Sequence, residues 1–338
     1  MRSPEELQRW LEEEIEKARG RMEKAVEMVA HRPTPQVAQT PHDVVCRENK
    51  LRLLHYHPRV KKVQPVPLLI VPPMINRYYI LDLKPGRSLV EYLLNLGIDV
   101  YMLDWGIPGP EDRHLTWDHF IQVYLDHCVD RVTEAAKGEP ISLLGYCMGG
   151  TMATIYAALH PGRVKNLINL AAPINFKDEG LLSLWTDKAY FNVDRLVDVL
   201  GNIPPELMQS AFQMLRPTGQ ISKMVSFFDR MYDQDFVDLF LAMEHWVNDN
   251  VPFPGEAFRK YVKECYQENL LVQGQLRIEN QVVDLKKITC ALLVVVAEKD
   301  HITPPASGAI LLDLVASTDK ELIALPGGHV GIVSGSSA

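Results

Sequence analysis

The sequence predicts an α/β fold: a mostly parallel central sheet with helices on both faces and a helical cap inserted between two later strands. Three observations predict it. From about residue 42 to 174, apolar strand-like runs alternate with helical segments, the pattern of a parallel sheet covered on both sides. Ile141-Ser-Leu-Leu144 leads directly into Gly145-Tyr-Cys-Met-Gly-Gly150, which reads as strand, sharp turn and helix. Between about 175 and 285 the alternation stops. That stretch is mostly helical and holds more than half of the chain's aromatic residues.

Residues 1–40 are built around an amphipathic helix running from 3 to about 30. Ser3-Pro4-Glu5-Glu6 is a capping box with proline at the first helical position. Leu7, Leu11, Ile15, Ala18, Met22, Ala25 and Val29 recur at three- and four-residue spacing. Glu5/Arg9 and Glu13/Lys17 make favourable i,i+4 pairs, and Pro33-Thr-Pro35 ends the helix. Such a stripe normally packs on its own domain; docking to a partner subunit is the alternative.

Residues 41–174 and 286–338 form the α/β core. Val44–Tyr56 and Val66–Val71 are strand candidates. Pro72-Pro-Met-Ile-Asn-Arg77 follows at the carboxyl end of the second, where an oxyanion loop would lie. Leu89–Leu96 reads as helix, Asp99–Leu103 as strand, Trp117–Lys137 as helix, and Arg163–Ala171 as the strand after the turn-helix unit. Residues 175–285 are the inserted cap. Its aromatics, such as Trp185, Phe212 and Tyr266, mostly form cap core, with a few left to line an apolar acyl tunnel. Ala291–Ala297 and Leu322–Leu325 complete the strands.

The turn carries the chemistry. Cys147 stands where an α/β-hydrolase places its nucleophilic serine, between glycines small enough for the strained bend. The helix that follows, Thr151–His160, favours negative charge at its N-terminus. Asp300 follows the strand Ala291–Ala297, and His329 lies in Pro326-Gly-Gly-His329 after Leu322–Leu325. Nucleophile, acid, histidine is the chain order of the α/β-hydrolase triad. The backbone N–H of Met148, with one from Ile75 or Asn76, is the expected oxyanion hole. Tyr146 and Trp246 are expected near bound substrate. His301 should point away from the site. His55 and His57 share a strand face, yet no third ligand is evident, so no metal is expected.

Composition narrows the function classes. The chain has 338 residues, 47% hydrophobic, with a net charge of −8; this argues against a nucleic-acid partner. No apolar run reaches the roughly 18–20 residues of a membrane helix, and the N-terminus lacks the apolar core of a signal peptide. Five scattered cysteines suit a reducing cytoplasm with free thiols.

Several blocks together carry a specific resemblance: Leu144-Gly-Tyr-Cys147-Met-Gly-Gly-Thr-Met, Pro72–Leu83, Asp104-Trp-Gly106, Trp246-Val-Asn-Asp249, and Pro254-Gly255 with Tyr266-Gln-Glu-Asn269. They resemble the polyhydroxyalkanoate synthases, particularly the short two-subunit types (class III and class IV), over roughly residues 40–335. The resemblance implies polymerisation of 3-hydroxyacyl-CoA to polyester with release of CoA. It carries the family's triad onto Cys147, Asp300 and His329. It also implies a short-chain substrate, a small companion synthase subunit, a homodimer through the cap, and a location at cytoplasmic polymer granules. No cofactor is implied beyond the acyl-CoA substrate. Family members usually continue into a further helix, whereas this sequence stops at Ala338, nine residues past His329.

Cysteine suits this reaction. A thioester exchanged for a thioester loses little acyl-transfer energy, and thiolate is the stronger nucleophile near neutral pH. Two other readings compete. One is a cysteine hydrolase of the dienelactone hydrolase type, which the aromatic cap disfavours; the other is a non-catalytic granule-associated scaffold, which the intact triad disfavours.

Overall fold

The computed structural model describes residues 3–30, 34–177 and 180–335. Its centre is an eight-stranded sheet: β1 (His42–Glu48), β2 (Leu51–Tyr56), β3 (Leu68–Val71), β4 (Val100–Asp104), β5 (Ile141–Tyr146), β6 (Val164–Leu170), β7 (Ala291–Ala297) and β8 (Lys320–Leu325). The spatial order is β1-β2-β4-β3-β5-β6-β7-β8. Only β1–β2 and β2–β4 pair antiparallel; the rest are parallel. The expected α/β-hydrolase fold is therefore present.

The central strands are apolar because both faces are covered. All six residues of β5 are buried. Leu69, Leu143 and Leu167 enter the core on one face; Ile70, Leu144 and Leu170 enter the core on the other. Parallel pairing puts the carboxyl ends of β3 to β8 along one edge, so the segments carrying Ile75, Cys147, Asp300 and His329 meet there.

Several elements differ from the sequence expectation. Val44–Tyr56 is a hairpin of β1 and β2, not one strand. It turns at Asn49-Lys50, where Asn49 has a positive φ of 50°, a conformation asparagine tolerates. The helix after Cys147 begins at Met148 rather than Thr151. The segment 117–137 is helical but has a π-helical stretch, Phe120–Leu125, within it.

Helix α1 (Pro4–Ala30) forms, capped reciprocally by Ser3 and Glu6. Lys17 bonds Glu14 at 3.0 Å rather than Glu13. The expected stripe does not turn inward: Leu11, Ile15 and Met22 are exposed by 47, 66 and 72%. The helix meets the body through Lys24, beside the stripe, and through Ala25, the stripe residue next to it. Lys24 is buried and bonds Gln234, and Ala25 packs beside Phe227, Met231 and Val237. Pro33, residues 336–338 and the side chains of Leu7 and Val29 lie outside the described residues.

The remaining helices labelled here are α2 (Leu89–Asn95), α3 (Asp126–Ala135), α4 (Met148–Leu159), α5 (Leu181–Trp185), α6 (Val193–Leu200), α7 (Pro205–Met214), α8 (Gly219–Arg230), α9 (Gln234–Asn248) and α10 (Gly255–Lys260). Helices α5 to α10 lie between β6 and β7, in the stretch expected to be inserted. A small hairpin, Arg277–Ile278 with Gln281–Val282, follows them. The insertion divides by packing. Val193, Val197, Phe253, Tyr261 and Cys265 join the main core, whereas Phe227, Met231 and Val237 form a separate small cluster. Among the described residues, no helix is long and apolar enough to cross a membrane. All five cysteines are free thiols.

Candidate active site

Cys147 sits at φ 54° and ψ −131°, a region L side chains rarely occupy. Its N–H donates to the Leu170 carbonyl at 3.0 Å, and its carbonyl accepts from Gly150 N–H at 2.9 Å. Glycine is required by close approach. A Cβ on Gly149 would lie 2.0 Å from the Val71 carbonyl oxygen, and one on Gly145 would lie 2.3 Å from the Gly150 Cα. With both absent, the turn packs against β3 and the thiol stands at the N-terminus of α4.

Asp300 and His329 come from adjacent loops past β7 and β8. The Asp300 carboxylate is buried and divided in its duties. Its Oδ1 accepts from the N–H groups of Ile302 and Thr303, both at 2.8 Å. Its Oδ2 faces His329 Nδ1 at 2.6 Å. The imidazole and Cys147 line one cavity. Burial alone would lower the His329 pKa, but the negative charges at Cys147 and Asp300 outweigh it and push the pKa up to about 10. The three predicted triad residues are thus brought together.

Tyr146, expected near substrate, also touches the histidine. It is buried, its ring stacks on the His329 ring, and its hydroxyl donates to the His329 carbonyl at 3.2 Å. Burial raises its pKa well above the usual phenol value, so it remains a donor.

The loop after β3 lies opposite the thiol. Its start is held by the Trp105 indole N–H, which donates to the Pro72 carbonyl at 2.8 Å. Ile75 and Asn76 then line the cavity at Cys147. Trp246 lines the same cavity, buried, with its indole N–H on the Arg77 carbonyl at 2.9 Å.

Two cavities meet at Cys147, sharing Ile75, Phe212 and Ile302 in their walls. One, about 280 Å³, is edged by Gln209, Gln213, Arg216, Gln220, Lys223 and Asn250. The other, about 310 Å³, is apolar, with Trp185, Phe191, Phe253, Phe258, Tyr261 and Tyr266 among its walls. So several insertion aromatics do line a cavity. The two cationic residues edging the first cavity, Arg216 between α7 and α8 and Lys223 on α8, where it pairs with Glu244 at 2.8 Å, were not anticipated, since isolated basic residues give no sequence signal. The backbone clamp on Asp300 was likewise invisible, since it depends on a turn and not on residue type.

Other candidates fall away from the centre. His301 is exposed. His55 bonds Asp99 and stacks on Tyr101, and His57, just past β2, bonds Asp43. Among the described residues, no group of three His, Cys, Asp or Glu side chains could hold a metal ion.

Comparison with known proteins decides the family. A family model described as the N-terminus of poly-beta-hydroxybutyrate polymerase (PhaC) matches residues 6–93, and one for the alpha/beta hydrolase fold matches 68–336. The chain is 43% identical over 303 residues to the poly(3-hydroxyalkanoate) polymerase subunit PhaC of Allochromatium vinosum, covering 88% of this chain and 84% of that protein. The chain belongs to the PhaC polymerase family. It is also 40% identical to the PhaC subunit of a Synechocystis species, covering 89% and 82%. To that of Haloferax mediterranei it is 42% identical, covering 88% of this chain but spanning only 61% of the relative's length. Among solved structures, an esterase from Thermogutta terrifontis superposes with a TM-score of 0.51 at 15% identity, covering 88% and 93%. That likeness concerns the fold alone. The PhaC family consists of acyltransferase-type enzymes, which agrees with the resemblance read from the sequence blocks.

Proposed function

We propose that this chain polymerises 3-hydroxyacyl-CoA into polyester through an acyl thioester on Cys147. The Cys147–His329–Asp300 arrangement, in a chain of this family, is the observation that carries the reading. His329 takes the thiol proton, and the Cys147 Sγ attacks the thioester carbonyl. The oxyanion is received by the Met148 N–H and one from Ile75 or Asn76. The intermediate collapses, the C–S bond to CoA breaks, and the proton on His329 leaves with the CoA thiol. His329 then takes the proton of an incoming 3-hydroxyl as its oxygen attacks the acyl-Cys147 carbonyl, forming the ester and returning the thiol. Asp300 holds the imidazole tautomer and offsets its charge. No cofactor is needed, because the thioester already carries the activation.

The two cavities suggest a division of labour. The apolar one suits the acyl chain, and the one edged by Arg216 and Lys223 suits the anionic CoA portion. Trp246 and Tyr146 are the proposed substrate-side residues, and residues 175–285 act as the cap over them. A companion subunit, docked on the exposed stripe of α1, and a homodimer through the cap complete the proposed assembly. The apolar product would hold it at a polymer granule surface in the cytoplasm.

The test is CoA release from 3-hydroxybutyryl-CoA with a companion subunit supplied, followed by product size. Steady release with high-mass polyester supports the reading. Release with only free 3-hydroxybutyrate would move the assignment to a hydrolase.

A further inference from the structure

The loop carrying Ile75 and Asn76 is anchored from two sides. Its start is held from within the α/β core, by Trp105 on the Pro72 carbonyl and by the tight contact of Gly149 with Val71. Its end is held from the inserted helices, at the carboxyl end of α9. The Trp246 indole N–H donates to the Arg77 carbonyl at 2.9 Å, and the Tyr79 hydroxyl donates to Asp249 Oδ2 at 2.7 Å. The Asn76 side-chain amide donates to the Asn250 side-chain Oδ1 at 2.5 Å. Arg77 Nε lies 3.8 Å from the same Asp249 oxygen, and the His245 ring stacks on Tyr79. Burial, and then the bond to Asp249, raises the Tyr79 pKa far above the ordinary phenol value, so this bond keeps its donor throughout the working pH range.

We propose that Asp249, acting through Tyr79, is a positioning residue. Together with Trp246 on the Arg77 carbonyl, it fixes the Ile75–Asn76 backbone where an oxyanion on the Cys147 acyl group would form. This rests on the function proposed above and adds a link between the insertion and the oxyanion loop. The partners lie about 170 residues apart in sequence, and these bonds tie the α9 end to the loop. A displacement of α9 would misplace the loop donors while leaving the thiol, histidine and carboxylate in place. Misplacement of a donor is costly because oxyanion stabilisation depends on donors preset near 2.7–3.1 Å from the forming charge.

The experiment compares wild type with Asp249→Ala, Tyr79→Phe, the double variant and Asp249→Asn. Each is assayed for CoA release from 3-hydroxybutyryl-CoA and for alkylation of Cys147 by iodoacetamide. Alkylation displaces iodide at a saturated carbon and builds no oxyanion, so it reads the nucleophile without the loop. The expected result is a kcat lower by about tenfold or more in Asp249→Ala and Tyr79→Phe, below the 10²–10³ of losing a donor outright. KM and the alkylation rate stay near wild type. The double variant falls no further than either single one, and Asp249→Asn, which still accepts from Tyr79, restores most of the rate. Unchanged kcat in Asp249→Ala would overturn the proposal, as would parallel losses of acyl transfer and alkylation. If the wild type itself releases no CoA, the functional reading fails, not the tether.

Discussion

The Tyr146 and His329 rings lie 5.2 Å apart with their planes 30° from parallel, and the Tyr146 hydroxyl donates to the His329 backbone carbonyl. The residue before the nucleophile therefore holds the histidine that serves it. Tyr146→Phe removes this bond and keeps the stacking. A net hydrogen bond is worth about 0.5–1.5 kcal/mol, so stability should fall by that order. Denaturant melts check this, and CoA release should slow by several-fold as the imidazole loses its anchor.

The charge at Cys147 is the largest influence raising the His329 pKa. Cys147→Ala removes it, so the His329 pKa should drop, read as the titration of its imidazole by NMR. The same shift sets a pH dependence. Because the folded pKa lies above the ordinary histidine value of 6.5, the stabilising contribution is complete below that value. It disappears as pH rises through about 10. The stability gap between wild type and His329→Gln should hold in buffer below about pH 6.5 and shrink steadily from there toward pH 10.

Asp300 faces His329 through one oxygen while two backbone N–H groups hold the other. Those two donors keep Oδ1 of Asp300→Asn in place, so its amide turns toward His329 Nδ1 and imposes the wrong tautomer. Acyl transfer should fall by on the order of 10⁴-fold, as for the corresponding change in the serine-protease triad. Circular dichroism should remain that of the wild type.

Gly149→Ala places a methyl group 2.0 Å from the Val71 carbonyl oxygen. Neither partner is a flexible side chain, so backbone must shift. The expected cost is about 3 kcal/mol or more, at or above the upper end of usual overpacking, seen as a lower midpoint in urea.

Much of the fold was legible because both-face burial writes itself into the sequence. Ala291–Ala297 matches β7 residue for residue. The hairpin at Asn49-Lys50 was missed because its turn lacks glycine or proline, and the left-handed Asn49 alone makes it. The triad could be read since its residues follow recognisable strands in a fixed order. The α1 stripe was misjudged in direction, because periodicity gives the face of a helix but not what lies against it. The clamp on Asp300 and the Tyr79–Asp249 link join residues through tertiary contact, for which local pattern holds no signal.

The most direct test of the central claim is mass spectrometry of the Cys147 peptide after rapid acid quench of a reaction with 3-hydroxybutyryl-CoA. A hydroxyacyl adduct is expected on that peptide, appearing with the first CoA released and absent in Cys147→Ala, which also releases no CoA. CoA release without an adduct on Cys147, or undiminished release by Cys147→Ala, would contradict it.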